Sequence, residues 1–141
     1  MPAKDIFHDH VKHALKKDHW IITHDQYWIK LVDSDINVYV DLAAERIIAA
    51  EKDEVKIAVE IKSFVGTSMM TDFHQALGQF LDYRVALRDK EPERQLYLAI
   101  PSDVYNAFFR KPFIQKVCQE YHISLMIFDP KTQDIHLWKN F

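Results

Sequence analysis

Glu60 and Lys62 stand two residues apart in a stretch, residues 55–64, that reads Val-Lys-Ile-Ala-Val-Glu-Ile-Lys-Ser-Phe. The stretch alternates with a period of two, which sets Ile57, Val59 and Ile61 on one side of a strand and Ala58, Glu60 and Lys62 on the other. Its β-branched, otherwise apolar character predicts a strand near the centre of its sheet. A carboxylate and an ammonium in such a place are costly unless they are paired or bound to something. Glu-x-Lys alone is also what a cross-strand ion pair on a solvated sheet face looks like. Asp41 sharpens the chemical reading, because it closes an earlier apolar stretch, residues 38–42, Val-Tyr-Val-Asp-Leu. If the two strands are neighbours, two carboxylates and an ammonium converge. Such a set suits a hard divalent cation, Mg²⁺ or Mn²⁺, which takes oxygen ligands and keeps several waters. The cation offsets the repulsion between the acids, polarises a phosphorus centre and acidifies a coordinated water. Lys62 then orients that water or steadies the developing negative charge. The chemistry described is metal-assisted phosphodiester hydrolysis, and a structural cluster of ion pairs is the alternative.

The elements that must position these groups follow from pattern and punctuation. Residues 5–17 form a first helix, with acids early and bases late as its dipole favours. His8, His10 and His13 lie on it, with His10 and His13 spaced to share a face, although a zinc site needs further ligands at matching positions. Residues 20–23 read as a strand, 27–32 as a short second one, and Asp33-Ser34-Asp35 as a turn. After 38–42 comes a short apolar stretch, 46–50. The turn Lys52-Asp53-Glu54 then delivers the chain into the key strand as a hairpin. A helix follows over 71–88, whose apolar side includes Phe73, Ala76, Leu77 and Phe80. Gln75, Gln79 and Tyr83 recur every four residues along a stripe beside that side. Gly78 lies in mid-helix, where it costs about 1 kcal/mol against alanine, and close packing on the sheet is the expected reason. Residues 95–100 form a strand ended by Pro101, and Asp103 is placed to cap a helical turn through Phe109. Pro112 opens another helix to residue 121, and strands at 124–128 and 135–138 complete the chain. The sum is an α/β sandwich, a central mixed β-sheet flanked by helices on both faces.

Composition narrows the function. The 141 residues make one domain, 48% hydrophobic and 28% charged, without a run of apolar residues long enough to span a membrane. The single cysteine, Cys118, excludes an internal disulfide and points to a reducing, cytoplasmic compartment; its apolar helical setting predicts a buried, inert thiol. Two glycines exclude glycine-rich phosphate loops. The net charge of −3 is unevenly spread: between residues 33 and 60 eight acids face three bases. That favours a cation site near the key strand and supplies no broad basic face for nucleic acid.

Asp41, followed nineteen positions later by Glu60-Ile61-Lys62, resembles the PD-(D/E)XK nuclease superfamily. Gln79-Phe-Leu-Asp-Tyr83 on the next helix is similar to the Q-x-x-x-Y motif of its RecB-like branch. Val40 stands where the proline of the motif would be. The resemblance implies a restriction-endonuclease-like fold. It also implies a metal held by Asp41, Glu60 and the Ile61 backbone carbonyl, with Lys62 positioning the attacking water. Gln79 and Tyr83 would position DNA, and Gln75 is a weaker alternative for that role. A first-helix acid or histidine joins the site in several superfamily members, and Asp5, His8 and Asp9 are the candidates. At finer grain the opening Met-Pro-Ala-Lys-Asp-Ile-Phe-His-Asp, the strand Ile-Ala-Val-Glu-Ile-Lys-Ser-Phe, the helix Phe-His-Gln-Ala-Leu-Gly-Gln-Phe and Leu-Tyr-Leu-Ala-Ile-Pro all resemble the XisH family of cyanobacteria. Its members are named as fdxN element excision controlling factors. The resemblance implies a companion of the XisI kind and a site-specific recombinase that removes a DNA element during cell differentiation. Two functions follow as expectations: an Mg²⁺-dependent endonuclease or nicking enzyme, or a silent regulator that holds its partners. A two-fold homodimer is expected for a nuclease facing two strands. The three tryptophans, Trp20, Trp28 and Trp138, read as core or interface anchors, and Phe108, Phe109 and Phe113 near Arg110 and Lys111 as amphipathic packing or a partner patch. Glu45 and Glu51 read as solvated.

Overall fold

A two-residue turn sets the register of the sheet. β2 (Ile47–Lys52) and β3 (Val55–Ile61) pair antiparallel from Lys52↔Val55 to Ile47↔Glu60. The turn between them has positive φ at both Asp53 (50°) and Glu54 (68°), the backbone twist that matches a right-handed hairpin. The structure is a computed structural model that describes residues 5–25, 27 and 47–141. Apart from Tyr27, which is described and not in a strand, the expected strands at 27–32 and 38–42, the turn at 33–35, and with them Asp41, Trp28, Glu45 and Arg46, lie outside the described residues.

The remaining described elements are α1 (His8–Lys17), β1 (Ile21–Asp25), α2 (Met69–Lys90), β4 (Arg94–Pro101), α3 (Ser102–Val104), α4 (Pro112–Glu120), β5 (Ser124–Asp129) and β6 (Asp134–Asn140). The six described strands lie in the order β1-β2-β3-β4-β5-β6. β3, β4 and β5 run parallel, and the outer pairs are antiparallel. The mixed sheet is as expected, with β3 in its interior. The parallel steps require crossovers. α2 makes the first, and α3 with α4 the second.

Alternation along β3 divides the core in two. Ile57, Val59 and Ile61 pack with Val11 and Leu15 of α1, and with Met126 and Phe128 of β5. Ala58 packs on the opposite face among Phe73, Ala76 and Phe80 of α2 and Ile114 and Cys118 of α4. Helices therefore cover both faces. Trp20 and Trp138 meet at 5.8 Å on the α1 side, as core anchors do. Among the described residues no helix is long and apolar enough to cross a membrane.

Four local expectations are corrected. The first helix begins at His8 rather than residue 5, because the Asp5 carboxylate accepts from the Phe7 N–H at 2.9 Å and holds residues 5–7 in a turn. Gly78 does not pack on the sheet; it faces solvent, and a Cβ there would meet nothing within 4 Å. Asp103 caps nothing, since α3 already starts at Ser102 and no side chain caps it. Residues Tyr105–Phe109 then wind wider, as a π-helix turn that turns Phe108 and Phe109 into the core while Phe113 stays exposed. α2 extends beyond its expected bounds because the Ser68 hydroxyl accepts from the Thr71 N–H at 3.2 Å and caps it.

Candidate functional site

Glu60 is the penultimate residue of β3, opposite Ile47 on one side and Leu98 on the other. By alternation with Ala58 it points to the α2 face, and it is fully buried, with 0% of its surface exposed. The Lys62 N–H donates to the Ala99 carbonyl at 3.0 Å and carries the β3–β4 ladder one residue further. Its side chain is half-buried and opens into a cleft of about 170 Å³. Asp5, Asp72, Gln75 and the loop 63–66 form the rest of that cleft.

The cleft is braced by two carboxylates that come from distant parts of the chain. Asp5 accepts from the Ser63 N–H at 3.0 Å, beside Lys62, while its other oxygen holds Phe7. Asp72, in the first turn of α2, accepts from the Gly66 N–H at 3.0 Å. A Cβ at residue 66 would lie 2.7 Å from Asp72 Oδ1, so a larger residue there would make the Asp72 carboxylate shift. Phe64, between these two anchors, has φ of 56°, a left-handed conformation costly for an aromatic residue. It is held there by packing on Phe108 and Phe109.

The other sequence candidates divide by depth. Gln75 lies at the cleft and is exposed, Gln79 is half-buried, and Tyr83 is 2% exposed within the α2-side core. The stripe along α2 therefore descends from solvent into the interior. Of the first-helix candidates, Asp5 reaches the cleft and Asp9 is exposed. His8 is buried and turned to Asp25, with Nε2 2.6 Å from Asp25 Oδ1. Lys12 Nζ reaches the other Asp25 oxygen, also at 2.6 Å. Burial pushes the Asp25 carboxyl up, but the hydrogen bonds from Lys12 and His8 outweigh it and hold the group below its ordinary value. Among the described residues no group of three or more His, Cys, Asp or Glu side chains is placed to hold a metal. His10 packs edge-on against Phe7, and His13 is exposed. Cys118 is buried and its thiol is pushed up to about 11 by burial, which makes it inert.

Sequence reasoning missed Asp25, Asp72 and Arg94. His8 and Lys12 sit one helical turn apart and together call for an acid, but nothing local says which. Asp72 carried a signal, an acid in the first turn of a helix. Arg94 is 5% exposed, grips Glu91 through Nε and Nη2 at 3.2 and 3.3 Å, and donates to the Ile57 carbonyl at 2.9 Å. Glu51, expected to be solvated, approaches that guanidinium at 3.6 Å. Tyr27 stacks its ring under Arg94 and donates its hydroxyl to Glu91. This buried cation is a structural tie between β4, the hairpin and the end of α2.

The fold and cleft define an α/β protein whose interior parallel strand carries a buried glutamate and delivers a lysine to a small acid-braced cleft. The chain belongs to the XisH family: the family model described as XisH protein matches residues 1–136. It is similar to the crystal structure of an XisH family protein from Nostoc punctiforme PCC 73102, with a TM-score of 0.86 and 42% identity over 96% of this chain and 100% of that one. It is similar too to the crystal structure of a fdxN element excision controlling factor protein from Anabaena variabilis, with a TM-score of 0.85 and 42% identity over 96% of this chain and 98% of that one. No functionally curated protein matches the chain.

Proposed function

We propose that the chain is a nuclease-like factor that controls the site-specific excision of a DNA element, with a phosphodiester-hydrolysis site where β3 ends. The observation that carries this reading is the emergence of Lys62 into a cleft directly from the strand that buries Glu60. The strained backbone of Phe64 beside it supports a functional constraint at the same point. The name of the Anabaena relative supports the excision role.

The donor chemistry at the strand end suits a hard cation: the Glu60 carboxylate and the Ile61 carbonyl are oxygen donors, and Asp41, the second acid of the set, lies outside the described residues. Mg²⁺ or Mn²⁺ bound there would supply Lewis acidity to a phosphoryl oxygen and acidify a water. Lys62 places an ammonium where negative charge develops on the phosphate. Asp5 fixes the direction of Lys62 by holding the next backbone amide. Gln79, with the weaker candidate Gln75 nearer solvent, positions the DNA strand, and Tyr83, buried in the core, supports the stripe from behind. DNA, an XisI-like companion and the site-specific recombinase are the partners, and a homodimer would present two such sites to a duplex.

The full burial of Glu60 favours a second reading, in which the fold has kept the acid as a structural group and the protein acts as a catalytically silent regulator that binds the companion and the recombination machinery. Nicking of supercoiled DNA with Mg²⁺ or Mn²⁺, with and without the companion, separates the two. The nuclease reading expects cleavage that Lys62→Ala lowers by about 10²-fold or more and that Glu60→Gln abolishes. The regulator reading expects no cleavage under any condition, and excision control that survives Lys62→Ala.

A further inference from the structure

A second and larger cleft, of about 490 Å³, opens where β4 and β5 begin and β6 ends. Its two arginines lie about 14–20 Å along α2 from Gln75 by the helical rise, at the opposite end of the sheet from Lys62. Arg84 and Arg88 line it, one turn apart on α2 and so side by side. Arg84 Nη1 donates to the His122 carbonyl at 2.8 Å, and its guanidinium lies 5.5 Å from the Phe80 ring centroid. Neither guanidinium has a carboxylate within ion-pair distance among the described residues. Glu93 also borders the cleft, but its carboxylate sits 3.7 Å from Lys56, and the neighbouring Arg94 is committed to Glu91.

Two like charges are therefore held together without an acid between them. The macrodipole of α2 accounts for Arg88, which lies in the last turn, and not for Arg84, which lies before it. Burial, and then the charge of Arg88, hold the Arg84 guanidinium below its ordinary value. Opposite the pair stands a neutral polar wall. Gln95 Nε2 donates to Ser124 Oγ and to Asn140 Oδ1, both at 3.0 Å. That leaves the Ser124 hydroxyl and the Asn140 amide N–H₂ as donors. Leu87 and Leu96 supply apolar surface below.

Paired guanidinia with neutral donors across from them match an anion with several oxygens rather than a single carboxylate. The cleft has the size of a small-molecule site with apolar surface for an organic body. We propose that this cleft binds a small organic phosphate monoester, its phosphate between Arg84 and Arg88. The site is independent of the hydrolysis site at Lys62.

Isothermal titration of the full chain with inorganic phosphate and with adenosine monophosphate tests it. The expected result is binding of the monophosphate, weaker binding of phosphate alone, and a loss of about tenfold or more in affinity in Arg88→Gln and in Arg84→Gln. Arg88 is exposed, so its variant remains informative if loss of the Arg84–His122 bond unfolds the other. Lys116→Gln, an exposed charge on α4 outside the cleft, is expected to leave binding unchanged. Absence of binding at millimolar probe, binding of a DNA duplex in place of the monophosphate, indifference to Arg88→Gln, or an equal loss in Lys116→Gln would each overturn the proposal.

Discussion

Asp25 acquires its properties from two partners on another element. Its carboxylate binds a proton less tightly in the folded chain than in the unfolded one, because Lys12 and His8 hydrogen-bond its ionised form. A depressed carboxyl contributes stability that is fully present above its ordinary value and is lost as pH falls through the folded value. Asp25→Asn is therefore expected to lose about 1–3 kcal/mol near pH 7, a gap that narrows progressively in acid below the ordinary carboxylate value, read as urea midpoints of the two proteins. A gap that stays constant with pH would show that the pairing is not ionic. The orientation of Glu60 and Lys62 was legible in the sequence, because it depends on a period of two within one strand. The Asp25 cluster was not, because its members are joined across 17 residues by the packing of α1 on β1. Nor was the full burial of Glu60 legible, since that depends on what distant parts of the chain pack over that face of the sheet.

At the scale of the element, the two glycines make opposite cases. Gly78→Ala in α2 adds a methyl that meets nothing, and is expected to raise stability by about 1 kcal/mol in chemical denaturation. Gly66→Ala pushes on Asp72 and breaks the brace of the cleft, so no gain is expected there. The β2–β3 turn offers a third test. Glu54 holds a left-handed φ of 68°, and Glu54→Gly is expected to stabilise the hairpin by about 0.5–1 kcal/mol. The hairpin itself was legible, since a polar pair between two apolar runs marks one. The capping role given to Asp103 failed for a physical reason: residue type favours a cap, but the end of β4 at Pro101 decides where the helical turn begins.

For the molecule as a whole, stability is concentrated where strands have two neighbours and two covered faces. β3, β4 and β5 meet both conditions, while β1 and β6 each have one neighbour among the described strands. Native-state hydrogen exchange is expected to show the slowest amides in β3–β5, opening only with the whole fold, and earlier exchange in β1 and β6. Cys118 offers a chemical counterpart. Its buried thiol, pushed up to about 11, is expected to resist a disulfide reagent near pH 8 until global unfolding. The layered α/β arrangement was legible because alternating strand and helix periods dictate it, whereas the sharing of a cleft by residues 5, 62 and 72 was settled only by the topology. Asp5 gives that topology a mechanical meaning. One carboxylate fastens both the lead-in to the first helix and the backbone just past the lysine, so the two cannot shift separately. A protein that docks on the amino-terminal helix and tilts it would thereby turn the ammonium as well, and a contact made at the periphery would set where the Lys62 side chain points.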